Sequence, residues 1–370
     1  MADIRVEKLA ELLVNYSVAV KSGDKVAIQG ESLAEPLHKA IYAKVLQAGG
    51  HPFFVITPSG TPEIFYKYAS DEQLKHIQPP AKLINDTYDV SIYAGGEENT
   101  KALSNIDPAR LVMRQQARTE MRKTFLSRSA RGEVRWIYVL FPTNAYAQDA
   151  EMGLAEYEDF VYAACLGDMN DPVGYWKRFS ARQQKAIDWL KGKKSIHVTA
   201  PGTDLSLSVA GRTFINCDGH LNMPDGEVFT GPVEDSINGH VYFSYPAIEN
   251  GHEVTGVRLW FENGKVVKAS AEKNENFLLK TLDTDEGARR VGEFAFGTNT
   301  GITKFTRQIL FDEKIGGSFH MALGSSYPET GGLNSSAIHW DMICDMRQGG
   351  EVTVDDQLFY KNGQFTIPLD

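Results

Sequence analysis

The sequence predicts an α/β N-terminal domain on a doubly wound, mostly parallel sheet, followed by an α+β, mostly antiparallel C-terminal domain. Up to about residue 192, helical periods alternate with short apolar β-rich runs, the pattern of strands buried on both faces and connected by helices. After Lys191-Gly192-Lys193-Lys194 the runs alternate with period 2 and are cut by turns, as antiparallel strands with one buried face require. A chain of 370 residues also exceeds one comfortable core. Domains are expected over 1–192 and 193–370.

In chain order, the first domain reads as an amphipathic helix near 5–20, the strand KVAIQG, and a helix near 34–48 stopped by Gly49-Gly50. HPFFVI follows, then a helix near 61–76, VSIYAG, a long charged helix over 107–129, WIYVLF, and helices near 155–166 and 173–191. Six arginines, Arg110, Arg114, Arg118, Arg122, Arg128 and Arg131, fall on or beside the charged helix and are expected on a solvated face. The second domain opens with IHVTA, LSLSVAG and RTFINC, separated by Pro201-Gly202 and Gly211. Asn263-Gly264 and Asn362-Gly363 stand between β-rich flanks, a strong hairpin signal. No internal repeat or low-complexity tract appears.

The apolar share of 42% and charged share of 23% are those of an ordinary globular protein. A formal charge of −10 disfavours nucleic acid and anionic lipid, which need clustered Lys and Arg to displace counterions. Lys8 and Glu11 interrupt the first apolar stretch, so it lacks a secretory core, and no run approaches the roughly 20 apolar residues of a membrane span. A cytoplasmic location is expected. Cys165, Cys217 and Cys344 are far apart and form no C-x-x-C, so they read as plain buried thiols. Phosphate-binding glycine loops, H-E-x-x-H and G-x-S-x-G are all absent.

Chemistry concentrates in the second domain. In Ile338-His339-Trp340-Asp341-Met342, strand alternation puts His339 and Asp341 on one face and the apolar residues on the other. An imidazole and a carboxylate on a rigid strand suit a divalent ion, although such a pair is more often simply hydrogen-bonded. Gly292-Glu293-Phe294-Ala295-Phe296-Gly297 repeats the design, with an acid among small neighbours and two phenylalanines behind. Pro224-Asp225-Gly226-Glu227 delivers an acid from a turn, and Phe311-Asp312-Glu313-Lys314-Ile315-Gly316-Gly317-Ser318-Phe319-His320 adds another acid and a histidine ahead of a glycine-rich loop with Tyr327. Each is ambiguous alone. Together, three Glu, one Asp and two His within 115 residues give the ligand count of a two-metal site, and such acid clustering is costly without cations.

At these residues the chain resembles the thermophilic aminopeptidases, the metallopeptidase family typified by aminopeptidases T and S. The resemblance spans nearly the whole chain, through VNYSVAVKSGDKVAI, APGTDLSLSVAGR, PDGEVFTGPVEDSINGHV, GEFAFGTN, LFDEKIGGSFHMALGSSYPETGG and SSAIHWDMI. It implies a metal-dependent aminopeptidase of broad, leucine-type specificity, acting on peptides as a homodimer with two divalent ions per chain, Zn, Co, Mn or Mg. It further implies Glu227, Glu293, Glu313, His320, His339 and Asp341 as metal ligands, Glu293 as the bridge between ions, and Tyr327 and Glu293 as catalytic residues. Two departures stand out: the Glu313–His320 interval is longer than the family pattern, and the Tyr327–His339 loop is shorter. His320, His339 and Asp341 also form the two-histidine, one-carboxylate set of mononuclear Fe(II) oxygenases, and a dihydroxypyridine-type ring-cleaving dioxygenase is the alternative. The three glutamates, superfluous to one iron, favour the peptidase. A third reading is a catalytically silent dimeric binding protein.

Overall fold

The computed structural model describes residues 3–249 and 251–369. The chain divides into two compact units, Met1–Tyr175 with Gly219–Pro224, and Trp176–Asp218 with Asp225–Asp370. Among the described residues, no helix is long and apolar enough to cross a membrane.

The first unit is the expected α/β layer. Its sheet runs His51–Thr57, Lys25–Glu31, Val90–Gly95, Arg135–Leu140, Asn222–Met223, with every neighbouring pair parallel. The central strands bury Val26, Ala27, Ile28, Val90, Ile92, Ile137 and Val139, as strands covered on both faces must. Two expected helices are split. The 61–76 helix is Thr61–Tyr68 followed by Asp71–Lys75, because Ser70 and Gln73 form a capping box that starts a new helix. The 107–129 helix breaks at Arg118 into Pro108–Ala117 and Thr119–Ala130. A helix over Pro79–Thr87 was not anticipated.

Three of the six arginines depart from a solvated face. Arg110 donates to the carbonyls of Tyr66 and Ala69, at the end of helix Thr61–Tyr68. Arg114 donates to Leu74 and His76 at the end of Asp71–Lys75, at 3.1 and 2.7 Å. Arg128, only 8% exposed, donates to Asn85 and Tyr88 at the end of Pro79–Thr87, at 2.5 and 2.8 Å. Each guanidinium satisfies carbonyls that a helix end leaves without partners and meets the negative end of the helix dipole. Arg118 and Arg122 are exposed, as expected.

The second unit packs two sheets around one apolar core. An eight-stranded sheet contains Ser195–Ala200, Thr203–Ser208 and the hairpin Arg258–Glu262/Lys265–Ser270. That hairpin turns at Asn263 (φ 48°) and Gly264 (φ 76°), and another turns at Asn362 (φ 48°) and Gly363 (φ 79°), the left-handed pair that an Asn-Gly turn supplies. The five-stranded antiparallel sheet runs His339–Asp345, Ser318–Gly324, Val291–Gly297, Glu227–Thr230, Ile215–Cys217. Its inner face gives Val228, Phe294, Phe296, Phe319, Met321, Trp340 and Met342 to the core, where they join Val198, Leu205 and Leu259 of the larger sheet. Helix Pro172–Leu190 adds Ala186 and Leu190 to the same core.

Candidate metal centre

Burying one face of the five-stranded sheet determines what the other face carries, because alternate side chains point opposite ways. With Val228, Phe294, Phe296, Phe319, Met321, Trp340 and Met342 inward, Glu227, Glu293, His320, His339 and Asp341 all emerge outward. Register then brings them together. Ala322 stands between Glu293 and Asp341 on the flanking strands, Gly324 is opposite His339, and Gly297 is opposite Glu227. Alanine and glycine at the intervening positions keep bulky side chains from between these carboxylates and imidazoles. A Cβ on Gly324 would stand 2.2 Å from the Ile338 carbonyl oxygen, at a φ of +103°, so this strand end needs glycine.

Glu293 is the hub. Its Oε1 lies 3.4 Å from His320 Nε2 and its Oε2 lies 3.3 Å from His339 Nε2, so the two oxygens of one carboxylate face two different imidazoles. His320 Nε2 is also 3.2 Å from Glu227 Oε2, and His339 Nε2 is 3.7 Å from Asp341 Oδ2. The Ser325 carbonyl oxygen lies 2.8 Å from His339 Nδ1, which fixes the ring with Nε2 toward the centre, the outer-shell arrangement of metal-binding histidines. Glu313 enters from the segment before the Ser318 strand, and one of its oxygens lies within 4.8 Å of ligand atoms of His320 and Asp341.

The electrostatics are those of charged groups crowded out of water. Burial pushes the Glu293 carboxyl upward, but the two imidazoles outweigh it and hold it at about 2. Burial opposes the charge on His339, yet Asp341 and Glu293 raise it to about 10. Glu313 is raised to about 8 by burial, with Lys314 pulling it down and Glu227 and Asp341 pushing it up. Asp341 is raised by burial, against the pull of His339. The proximities do not resolve into a satisfied network: Glu227 Oε2, Asp341 Oδ1 and both ring nitrogens of His320 are buried without hydrogen-bond partners. Such orphans are costly in a low-dielectric interior, and divalent cations would satisfy Glu227 Oε2, Asp341 Oδ1 and the Nε2 of His320. The donor set of carboxylate oxygens and imidazole nitrogens fits ions of the zinc, cobalt and manganese kind.

Tyr327 sits at the rim. Its ring meets Phe229 edge-on at 5.4 Å and His339 at 5.1 Å between centroids. Partial burial and the charges of Glu293 and Asp341 raise its hydroxyl far above the ordinary range, keeping the proton in place. All seven residues singled out in the sequence therefore fall in or beside one cluster. Sequence reasoning missed four others. Lys314 is wholly buried beside Glu313, Asp225 and Cys217 group with Glu227, and Glu249, half-buried, is raised by burial and by the charge of Asp341. Only adjacency to a named motif could have signalled Lys314 and Asp225, and nothing in the sequence marks Glu249.

A buried cluster of carboxylates and imidazoles on one face of an antiparallel sheet, with polar atoms left unpartnered, is the donor set of a metal-dependent hydrolase. The sequence matches the family described as thermophilic metalloprotease (M29) over residues 2–365. It is 28% identical to aminopeptidase T of Thermus thermophilus, covering 98% of this chain and 96% of that one. It is 27% identical to aminopeptidase 2 of Geobacillus stearothermophilus, covering 91% of both. The solved structure of wild-type AmpT from Thermus thermophilus superposes with a TM-score of 0.85 at 23% identity, over 98% of this chain and 99% of that one. 2,5-Dihydroxypyridine dioxygenase from Pseudomonas putida shares the fold more distantly, with a TM-score of 0.61 at 13% identity, over 98% and 97% of the two chains. The chain belongs to the thermophilic metalloprotease (M29) family.

Proposed function

We propose that this protein is a metallo-aminopeptidase that removes N-terminal residues from peptides with broad, leucine-type preference. Glu227, Glu293, Glu313, His320, His339 and Asp341 would hold two divalent ions, Zn, Co, Mn or Mg, with Glu293 shared between them. The observation that carries this reading is the Glu293 carboxylate, each oxygen of which faces a different histidine. Among the described residues no ligating group contains both histidines, whereas a one-iron dioxygenase centre needs His320, His339 and Asp341 on one ion. That difference favours the peptidase over the ring-cleaving alternative.

Bound at these residues, divalent ions supply Lewis acidity and lower the pKa of water enough to make a nucleophile at neutral pH. The chain's own groups do the rest. Tyr327, held protonated, donates a hydrogen bond to the oxyanion that develops on the scissile carbonyl. A carboxylate of the cluster, Glu293 or Glu313, accepts the proton of the attacking water. Carboxylates left over from ion binding, Glu249 among them, hold the free ammonium of the substrate, which restricts cleavage to the N-terminal bond. The catalytic domain of this reading, expected over 193–370, corresponds to the second unit, Trp176–Asp218 with Asp225–Asp370. A cytoplasmic setting agrees with three widely separated cysteines that form no C-x-x-C, and a homodimer agrees with the apolar surface at Phe53 and Phe54.

Metal analysis of the purified protein, paired with leucine release from a short peptide with and without chelator, tests the proposal. Two ions per chain and chelator-sensitive release are expected. One ion or fewer, with no release, would transfer the site to the dioxygenase class.

A further inference from the structure

Lys314 has no exposed surface at all, and its ammonium touches Glu313 Oε1. Its main chain is pinned on both sides: its N–H donates to the Phe311 carbonyl, and its carbonyl accepts from the Asn299 N–H. The side chain therefore enters the acid cluster from a fixed point, where Glu227 and Asp225 also attract it. A lysine ammonium is a compact, strongly hydrated charge that is rarely buried without a specific partner. Here the partner is a candidate metal ligand, and the contact occupies one of its two oxygens.

That juxtaposition has two consequences for an ion at Glu313, His320 and Asp341. With Oε1 engaged by the ammonium, Glu313 offers Oε2 alone and binds through one oxygen instead of two. The ammonium is also a like charge facing any arriving dication across a poorly screened interior. Neither effect reaches the opposite side of the cluster to the same degree, where Glu293, His339 and Asp341 converge without a lysine.

We propose that Lys314 is a positioning residue that keeps Glu313 a one-oxygen ligand and so makes the ion nearest it the weakly held, exchangeable one of the pair. The centre is then asymmetric by construction, with one tight position and one loose one. This rests on the reading of the cluster as a two-ion site.

The test is calorimetric titration of the chelator-stripped full-length protein with Mn²⁺ alone, supported by the rate at which a chelator withdraws each ion. Wild type should bind two ions with clearly separated affinities. Lys314→Met should tighten the weaker position at least tenfold and slow its loss, leaving the stronger within about threefold. Lys314→Arg, which restores a cation in the same place, should return the weak position. Glu313→Gln breaks the pair from the other side and should abolish the weak position while sparing the tight one, which covers the case of a Lys314→Met protein that does not fold. Unchanged affinities in Lys314→Met, or loss of the tight ion in Glu313→Gln, would overturn the inference. Failure of wild type to bind a second ion would overturn the two-ion reading itself.

Discussion

Charged residues crowd together in both units of this protein, and the two crowds are resolved in opposite ways. In the first unit, Arg110, Arg114 and Arg128 each hand their donors to the carbonyls ending a helix, so the guanidinium charge is absorbed by secondary structure. In the second, Glu227, Asp341 and His320 approach one another and still leave buried atoms without hydrogen-bond partners. A cluster of charge thus marks a site only when the fold fails to satisfy it. By that criterion the arginine-rich helices are scaffold, although their sequence looks as unusual as the acid-rich strands.

The contrast can be broken most directly at Glu293. Glu293→Gln should reduce peptidase activity to background and lower the metal content, and full activity in that variant would end the two-ion reading. Next in size, Tyr327→Phe should cost about 10²–10³-fold in kcat with metal content unchanged; a loss confined to KM would remove the tyrosine from oxyanion stabilisation. A third effect concerns protons. Because His339 in the metal-free protein stays protonated up to about 10, an arriving ion must displace that proton. Ion affinity should therefore climb with pH toward that value, by up to about tenfold per unit for one proton released. Titration in buffers of different ionisation enthalpy reads the proton count directly, and a count of zero contradicts the protonated histidine.

On the scaffold side, Arg128→Ala strips donors from half-buried carbonyls and should destabilise the first unit by about 1–3 kcal/mol in denaturant unfolding, with metal content untouched. Arg122→Ala, at an exposed position, should stay within about 0.5 kcal/mol. Equal effects at Arg122 and Arg128 would dissolve the distinction between capping and solvated arginines.

What was legible in the sequence follows the same division. Strand alternation alone separated Glu293 from Phe294 and Phe296, and His339 and Asp341 from Trp340, because burial of one face of a sheet is written in every second residue. The Asn-Gly turns were legible too, since few other pairs tolerate two left-handed residues. Helix ends were not: whether Ser70 caps a new helix or lies within an old one depends on a backbone choice of small energy. The fates of Arg110, Arg114 and Arg128 were hidden because their partners are main-chain carbonyls 40-odd residues away in sequence for Arg110, Arg114 and Arg128 alike, and every residue type has a carbonyl. Lys314 was hidden for another reason. A lysine beside a glutamate reads as a surface pair, and only the packing of the chain around it makes it an interior charge.

The spacing of the cluster by small residues on paired strands carries one more consequence, for how this protein can change over generations. Because Ala322 separates Glu293 from Asp341 through strand register alone, a substitution perturbs one corner of the centre, whereas deleting a single residue within Ser318–Gly324 would turn His320 inward and present Phe319 or Met321 in its place. Lineages should accordingly tolerate length variation between Glu313 and the Ser318 strand and around Tyr327, and almost none inside the strands themselves.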